Sequence, residues 1–438
     1  MGSFVPTTPS ERQQMLKTIG VGSVEELFRD VPQEMRIDGY LDLPSGKSEM
    51  ETLESVSALA EKNHVFRTCL RGAGSYRHYI PAAVKAIVNR EEFVTAYTPY
   101  QAEISQGILQ AIFEYQTMLC ELTGMDVSNA CVYDGGTAAA ESITMCRDRK
   151  RTKAYVSATT DPQVIEVMKT YCFGSDVELT VVPQKDGRTD PEALRSLLGQ
   201  DAACFYVQQP NFYGLLEEAE LLGEITHAAG AKYVMGVNPI SLAILKTPAE
   251  CGADVAVGEG QPLGLDTAFG GPYLGFMTAS SAMMRKLPGR IVGQTVDTEG
   301  EIGYVLTLSA REQHIRREKA SSNICSNEQL CAFTAAVYLS AMGEKGLRQA
   351  ATLCTSKAHY FAQQLEEKLG WKRVHSGEFF HEFVTECPDT EKALAALAKR
   401  DILGGLPVEG GILWCVTEVV TKERLDEAVA ILQEVSCG

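Results

Sequence analysis

The sequence predicts an α/β protein: a mostly parallel sheet with helices on both faces, followed by a smaller α+β unit at the C-terminus. Three observations carry this. Short apolar runs recur at 154–157, 177–182, 202–207, 233–237, 253–257 and 273–277, each bounded by polar or turn residues. Segments of helical pattern lie between most of them, such as Glu217 to Ala229 closed by Gly230. The starts lie about twenty to thirty residues apart, the spacing that right-handed βαβ crossovers require.

The elements follow in order. Thr8-Pro9-Ser10-Glu11 is a capping box with proline at the first helical position, and Ser23-Val24-Glu25-Glu26 is a second before Leu27 and Phe28. Pro32 ends that short helix. After the turn Pro44-Ser45-Gly46, the apolar spacing from Met50 through Leu53, Val56 and Leu59 predicts one long helix within Leu41 to Leu70. The sheet-forming region comes next. From Ser326 the texture changes: Ser326-Asn327-Glu328-Gln329 caps a helix to about Met342, and Glu344 to Leu369 continues as another. Short runs at 371–375, 379–384 and 412–416 and helices at 390–400 and 422–435 complete the chain. The divisions drawn are a helical N-terminal arm (1–70), a large α/β domain (71–325) and a small α+β domain (326–438).

Composition narrows the function. With 40 basic and 57 acidic side chains the net charge is −17, which disfavours nucleic acid and anionic membranes as partners. No apolar run reaches the roughly 18 residues of a membrane span. The first residues are polar and carry Glu11, unlike a signal or transit peptide, so a cytoplasmic location is expected. Thirteen cysteines, an odd number without a CxxC pair, read as reduced thiols. Seven histidines form no HxH or HExxH pair, and no metal is expected. A GxSxG elbow, a P-loop and a dinucleotide fingerprint are also absent.

Four segments stand out chemically. Asp134-Gly135-Gly136-Thr137 opens a small-residue helix, where free backbone N–H groups and a hydroxyl suit a phosphate; a tight turn that lets the helix pack closely is the alternative. Tyr97-Thr98-Pro99-Tyr100-Gln101 lines either a polar pocket or the rim of the core. Arg71 to Tyr79 combines glycines with His78. The run Arg311-Glu312-Gln313-His314-Ile315-Arg316-Arg317, followed by Ser322-Asn323-Ile324-Cys325, reads as a solvated charged helix or as a subunit contact and anion clamp.

With these segments in view the chain resembles the glycine cleavage P-protein family, specifically the N-terminal-half chain (subunit 1) of its two-subunit form. The resemblance rests on Gly72-Ala73-Gly74 through His78-Tyr79-Ile80-Pro81, Ala96 to Gln101 with Ser105-Gln106-Gly107, Gly135-Gly136-Thr137-Ala138, Arg311 to Arg317 and Ser322 to Cys325. It implies a type I pyridoxal-phosphate (PLP) transferase fold with a seven-stranded large domain. The implied reaction is PLP-dependent decarboxylation of glycine, with the aminomethyl group passing to the lipoyl arm of the H-protein.

Such an enzyme supplies a lysine for the cofactor aldehyde and an acid beside the ring nitrogen. In Tyr233-Val234-Met235-Gly236-Val237-Asn238, Met235 stands where that acid is expected, and no lysine occurs from Thr247 to Arg285. The resemblance therefore implies a non-catalytic subunit with no catalytic residue of its own, whose lysine-bearing partner, subunit 2, holds the PLP in an α2β2 heterotetramer. Tyr97, Tyr100, Gln101, His78, Arg311, His314, Arg316, Ser322, Asn323 and Cys325 are then contacts to the partner's active site or lipoyl channel, and Gly135, Gly136 and Thr137 a vestigial phosphate cup. Two alternatives stand beside this: a self-sufficient PLP enzyme using Lys246 or Lys286, and a stand-alone amino-acid- or PLP-binding regulator.

Overall fold

The computed structural model describes residues 6–37, 39, 41–325 and 328–436. The chain divides into two units, Met1–Val65 and Phe66–Gly438.

The first unit holds helices α1 (Pro9–Ile19) and α2 (Glu49–Ala60), each opened by a complete capping box, from Thr8 with Glu11 and from Ser48 with Glu51. Ser23 Oγ accepts from the Glu26 N–H at 3.3 Å ahead of a 3₁₀ turn at Glu25–Phe28. The single long helix expected over 41–70 is not formed: helix is confined to α2. Polar Glu61-Lys62-Asn63 turns the chain, and Thr68–Cys69 lies extended to pair in parallel with Ile402–Leu403. Neither helix carries a buried residue, and Met50, Leu53 and Leu59 are exposed.

The second unit is built on a seven-stranded sheet: β1 (Val127–Ser128), β2 (Lys153–Ser157), β3 (Leu179–Val182), β4 (Ala202–Gln209), β5 (Lys232–Val237), β6 (Val255–Glu259) and β7 (Gly275–Ala279). The order is β1-β7-β6-β5-β4-β2-β3, with β7 alone running against the rest. All six predicted runs become strands. Parallel strands covered on both faces read as unbroken apolar segments, and Ala202 to Val207 and Val255 to Gly258 are buried throughout. Helices α3 (Gln106–Thr123), α4 (Gly135–Cys146), α5 (Pro162–Gly174) and α6 (Ala219–Ala228) follow in the chain. Tyr233, Met235 and Leu222 belong to one apolar cluster; Val234, Val257 and Ala139 belong to another. A two-stranded ribbon, β8 (Ile291–Val296) and β9 (Ile302–Thr307), extends from this body.

Beyond it, α7 (Gln329–Leu369) is broken at Gly343, whose φ of 59° and ψ of −179° no side chain adopts readily, so two helical segments result, as predicted. The expected cap residues Ser326 and Asn327 lie outside the described residues. Strands β10 (Glu382–Thr385), β11 (Leu406–Val408) and β12 (Gly411–Cys415) form an antiparallel sheet in the order β10-β12-β11. With α8 (Thr390–Ala398) and α9 (Lys422–Ser436), they cover a cluster containing Phe361, Phe383, Trp414 and Leu432. Among the described residues no helix is long and apolar enough to cross a membrane.

Candidate functional site

The carboxyl ends of β4, β5 and β6 and the N-terminus of α4 enclose a cavity of about 440 Å³. Ligands of open α/β sheets bind at this end of the strands. Among the described residues no lysine, arginine or histidine lines it, whereas Asp134, Asp161 and Glu259 all do.

Each carboxylate is held by backbone. Asp134 caps α4, its Oδ1 accepting from the Thr137 N–H at 2.6 Å. Asp161 Oδ1 accepts from the Gln163 N–H at 2.8 Å, and burial raises its pKa. Glu259, the last residue of β6, accepts three N–H bonds: from Gly135 at 2.9 Å on Oε2, and from Gln261 at 2.8 Å and Leu274 at 3.0 Å on Oε1. Burial pushes its pKa up to about 7 despite these donors. Tyr206, Gln208 and Asn238 complete the polar wall; the buried Asn238 Nδ2 has no hydrogen-bond partner among the described residues. The loop carrying Ala73 to Tyr76 is tied over the cavity. Gln261 exchanges two 2.9 Å bonds with the Tyr76 backbone, and Glu382 accepts from the Ala73 N–H and the Tyr76 hydroxyl, both at 2.7 Å.

PLP needs a lysine, an acid at its ring nitrogen and donors for its phosphate. Met235 is fully buried in the apolar cluster. Lys246 pairs with Glu220 at 2.8 Å on the exposed surface, and Lys286 donates to the Arg147 carbonyl at 3.2 Å; neither lines the cavity. The first N–H of α4 already donates to Glu259. The residues of this cavity do not fit PLP.

The other predicted residues fall in three places. Gly135 and Gly136 line the cavity, while Thr137 is buried behind the Asp134 cap. Tyr100 and the 311–325 segment are brought together by Arg290, which no motif of the sequence marks out. Its guanidinium lies 4.6 Å from the Tyr100 ring centroid, forms an ion pair with buried Glu312 and donates to Cys325 Sγ at 3.3 Å. Tyr97 (83% exposed), Gln101, His314, Arg316 and Asn323 are exposed around this cluster's elements. His314 Nδ1 is 3.6 Å from Glu312, and Arg316 Nε donates to the Ala310 carbonyl at 2.9 Å. Arg311 is turned inward, donating to the carbonyls of Leu287 and Gly289. Ser322 donates to the buried Glu141 at 3.0 Å, and burial raises the Glu141 pKa to about 7.

His78 is buried. Its Nδ1 lies 2.7 Å from Glu418, which also accepts from the Tyr79 N–H at 2.6 Å and from Cys354 Sγ at 3.3 Å. His78, Cys354 and Glu418 place ligand-type atoms within 4.8 Å of one another. Sequence spacing had no means of showing this, since Cys354 and Glu418 lie hundreds of residues from His78.

Comparison with known proteins agrees with this architecture. The chain is 47% identical over 444 residues to a protein of Desulfitobacterium hafniense named probable glycine dehydrogenase (decarboxylating) subunit 1, covering 99% of this chain and 100% of that one. It is 48% identical over 439 residues to the protein of the same name from Carboxydothermus hydrogenoformans, covering 98% and 99%. A crystal structure of glycine decarboxylase (P-protein) of the glycine cleavage system, in inhibitor-bound form, superposes with a TM-score of 0.91 at 41% identity, over 99% of this chain and 100% of that one. A sphingosine-1-phosphate lyase of Burkholderia pseudomallei shares the fold alone, at 13% identity and TM-score 0.66 over 92% and 94% of the two chains. The fold is that of type I PLP-dependent enzymes. The pattern of the Glycine cleavage system P-protein family matches residues 2–432, and the chain belongs to that family.

Proposed function

We propose that this chain is the non-catalytic subunit of a two-subunit, PLP-dependent glycine decarboxylase of the glycine cleavage system. A lysine-bearing partner, subunit 2, holds the cofactor, and the assembled enzyme hands the aminomethyl group to the lipoyl arm of the H-protein. The observation that carries this reading is the cavity itself: a type I fold whose strand-end pocket has three carboxylates and, among the described residues, no lysine. The chain keeps the architecture and lacks the groups that would do the chemistry.

What the chain contributes is then a surface. Tyr97, Gln101, His314, Arg316 and Asn323 are exposed on the elements that Arg290 joins, and they present donors to the partner's site or the lipoyl channel. Tyr100, Arg311, Ser322 and Cys325 support these elements, and His78 acts from within the fold. In an acidic chain, docking of an acidic carrier relies on local cations such as Arg316. The assembly read from the resemblance is an α2β2 heterotetramer in the cytoplasm.

The test is an absorbance spectrum of the purified chain with PLP, before and after borohydride, alone and mixed with the lysine-bearing partner. The expected result is no specific reducible adduct on this chain alone and glycine decarboxylation only on mixing. A covalent adduct on one lysine of this chain, Lys246 or Lys286 included, overturns the reading in favour of a self-sufficient enzyme. Arg316→Glu, at an exposed position, should weaken decarboxylation by the mixture and leave the thermal unfolding of this chain unchanged; full activity removes the 311–325 segment from the site.

A further inference from the structure

We infer that Glu259 is a resident occupant: its carboxyl oxygens take up the donor set at the start of α4 and close the cavity to phosphate-bearing ligands. The inference deepens the reading of this cavity as degenerate, and it concerns only this chain's own residues.

Three separate pieces of backbone converge on the one side chain. The Gly135 N–H begins α4, the Gln261 N–H follows β6, and the Leu274 N–H leads into β7; their distances to Glu259 oxygens are 2.9, 2.8 and 3.0 Å. A bound phosphate oxygen makes the same demand on a helix N-terminus and the turn beside it. A further donor of the same helix start, the Thr137 N–H, is held by Asp134 at 2.6 Å.

Space and charge act in the same direction. A Cβ placed on Gly135 would lie 2.9 Å from both the Glu259 Cβ and its backbone nitrogen, so the end of β6 sits directly against the start of the helix. An arriving phosphate would meet Asp134, Asp161 and Glu259, with no cationic side chain in the lining among the described residues. Ionised carboxylates repel a phosphate in a partly desolvated site, where water screens charge poorly. The Gly135 side of the phosphate cup that the sequence offers is thus filled by the protein itself.

The test uses the full chain with Glu259→Ala and Glu259→Gln. Phosphorus NMR titration with inorganic phosphate, retention of PLP against pyridoxal, and thermal unfolding with added acetate or phosphate are the readouts. Wild type should show no saturable phosphate binding and no preference for PLP over pyridoxal. Glu259→Ala should bind phosphate at least about tenfold more tightly than wild type, prefer PLP over pyridoxal, and be stabilised by acetate and phosphate where wild type is not. Saturable phosphate binding by wild type that shifts the Gly135 amide resonance overturns the inference. Equal phosphate affinities in wild type and Glu259→Ala also overturn it. Should Glu259→Ala fail to fold, Glu259→Gln poses the same question without the charge, and its affinity must exceed that of wild type. None of these results depends on a borohydride-reducible lysine, so failure here and failure of the subunit reading are separately visible.

Discussion

Glu259 at the strand-end cavity and Glu418 beneath His78 are both largely buried, both accept backbone N–H bonds, and burial works against the charge of each. They end far apart. Burial prevails at Glu259, and three amide donors leave its pKa at about 7. At Glu418 the hydrogen bond and charge of His78, with the Tyr79 N–H, outweigh burial and hold the pKa at about 2. Amide dipoles alone do not offset the loss of water around a carboxylate; a side chain able to carry positive charge does. Among the described residues the cavity has no such side chain in its lining. One region therefore holds an ionised carboxylate hydrogen-bonded to the 78–79 loop, and the other a carboxyl poised to change its charge near neutrality.

The largest test of this contrast is Glu418→Ala. It strands the buried His78 ring, the Tyr79 N–H and the Cys354 thiol together, and should cost about 3–5 kcal/mol of stability, read as a lower denaturant midpoint. A loss below about 1 kcal/mol would mean that the anchor is no stronger than an exposed pair. The pH dependence comes next. Glu418, held low, stabilises the fold above its unfolded pKa of about 4.5, and that contribution is lost as pH falls toward about 2. Glu259, Glu141 and Glu382, each raised to about 7, stabilise the fold below about 4.5, and their contribution is lost as pH rises through about 7. These carboxyls favour the acid side of neutrality, and buried His381, whose pKa burial lowers to about 3, opposes them as pH falls below about 6.5. Glu259→Gln should flatten the decline between about 4.5 and 7 by roughly 1–3 kcal/mol, measured as unfolding midpoint against pH. An unchanged slope would mean that Glu259 does not titrate in that window.

These sites also mark what a sequence discloses and what it hides. The strands were legible because a parallel sheet covered on both faces demands continuous apolar runs such as Val255-Ala256-Val257. The helix break at Gly343 and the helix start at Gly135 carried local signals of composition. The helix expected over 41–70 failed because apolar spacing continues past the point where Glu61-Lys62-Asn63 turns the chain, and Thr68–Cys69 answers to a strand at Ile402–Leu403. Side-chain partners across long separations left no trace. Glu259 meets Gly135 across 124 residues, Arg290 meets Cys325 and Tyr100 from different elements, and Glu418 meets His78 across 340. The absence of a lysine was visible in the sequence; the carboxylate that takes up the phosphate donors became visible only once β6 and α4 were side by side.

The finest test separates two adjacent glycines that the sequence treats alike. A methyl group on Gly135 would lie 2.9 Å from Glu259 backbone and Cβ, atoms fixed at the end of β6, so the helix start or the strand end must move. On Gly136 the nearest atoms are Asp134 Oδ1 and Val167 Cγ2 at 3.4 Å, ordinary contact. Neither glycine sits in the left-handed region, so backbone strain does not enter. Gly135→Ala should cost about 1–3 kcal/mol through overpacking and lengthen the N–H bond to Glu259. Gly136→Ala should fall within about 0.5 kcal/mol of wild type, since alanine's better helix propensity opposes any crowding. Equal effects at the two positions would mean that β6 does not bear on the helix start, and the resident carboxylate would lose the close packing that leaves no room for a phosphate.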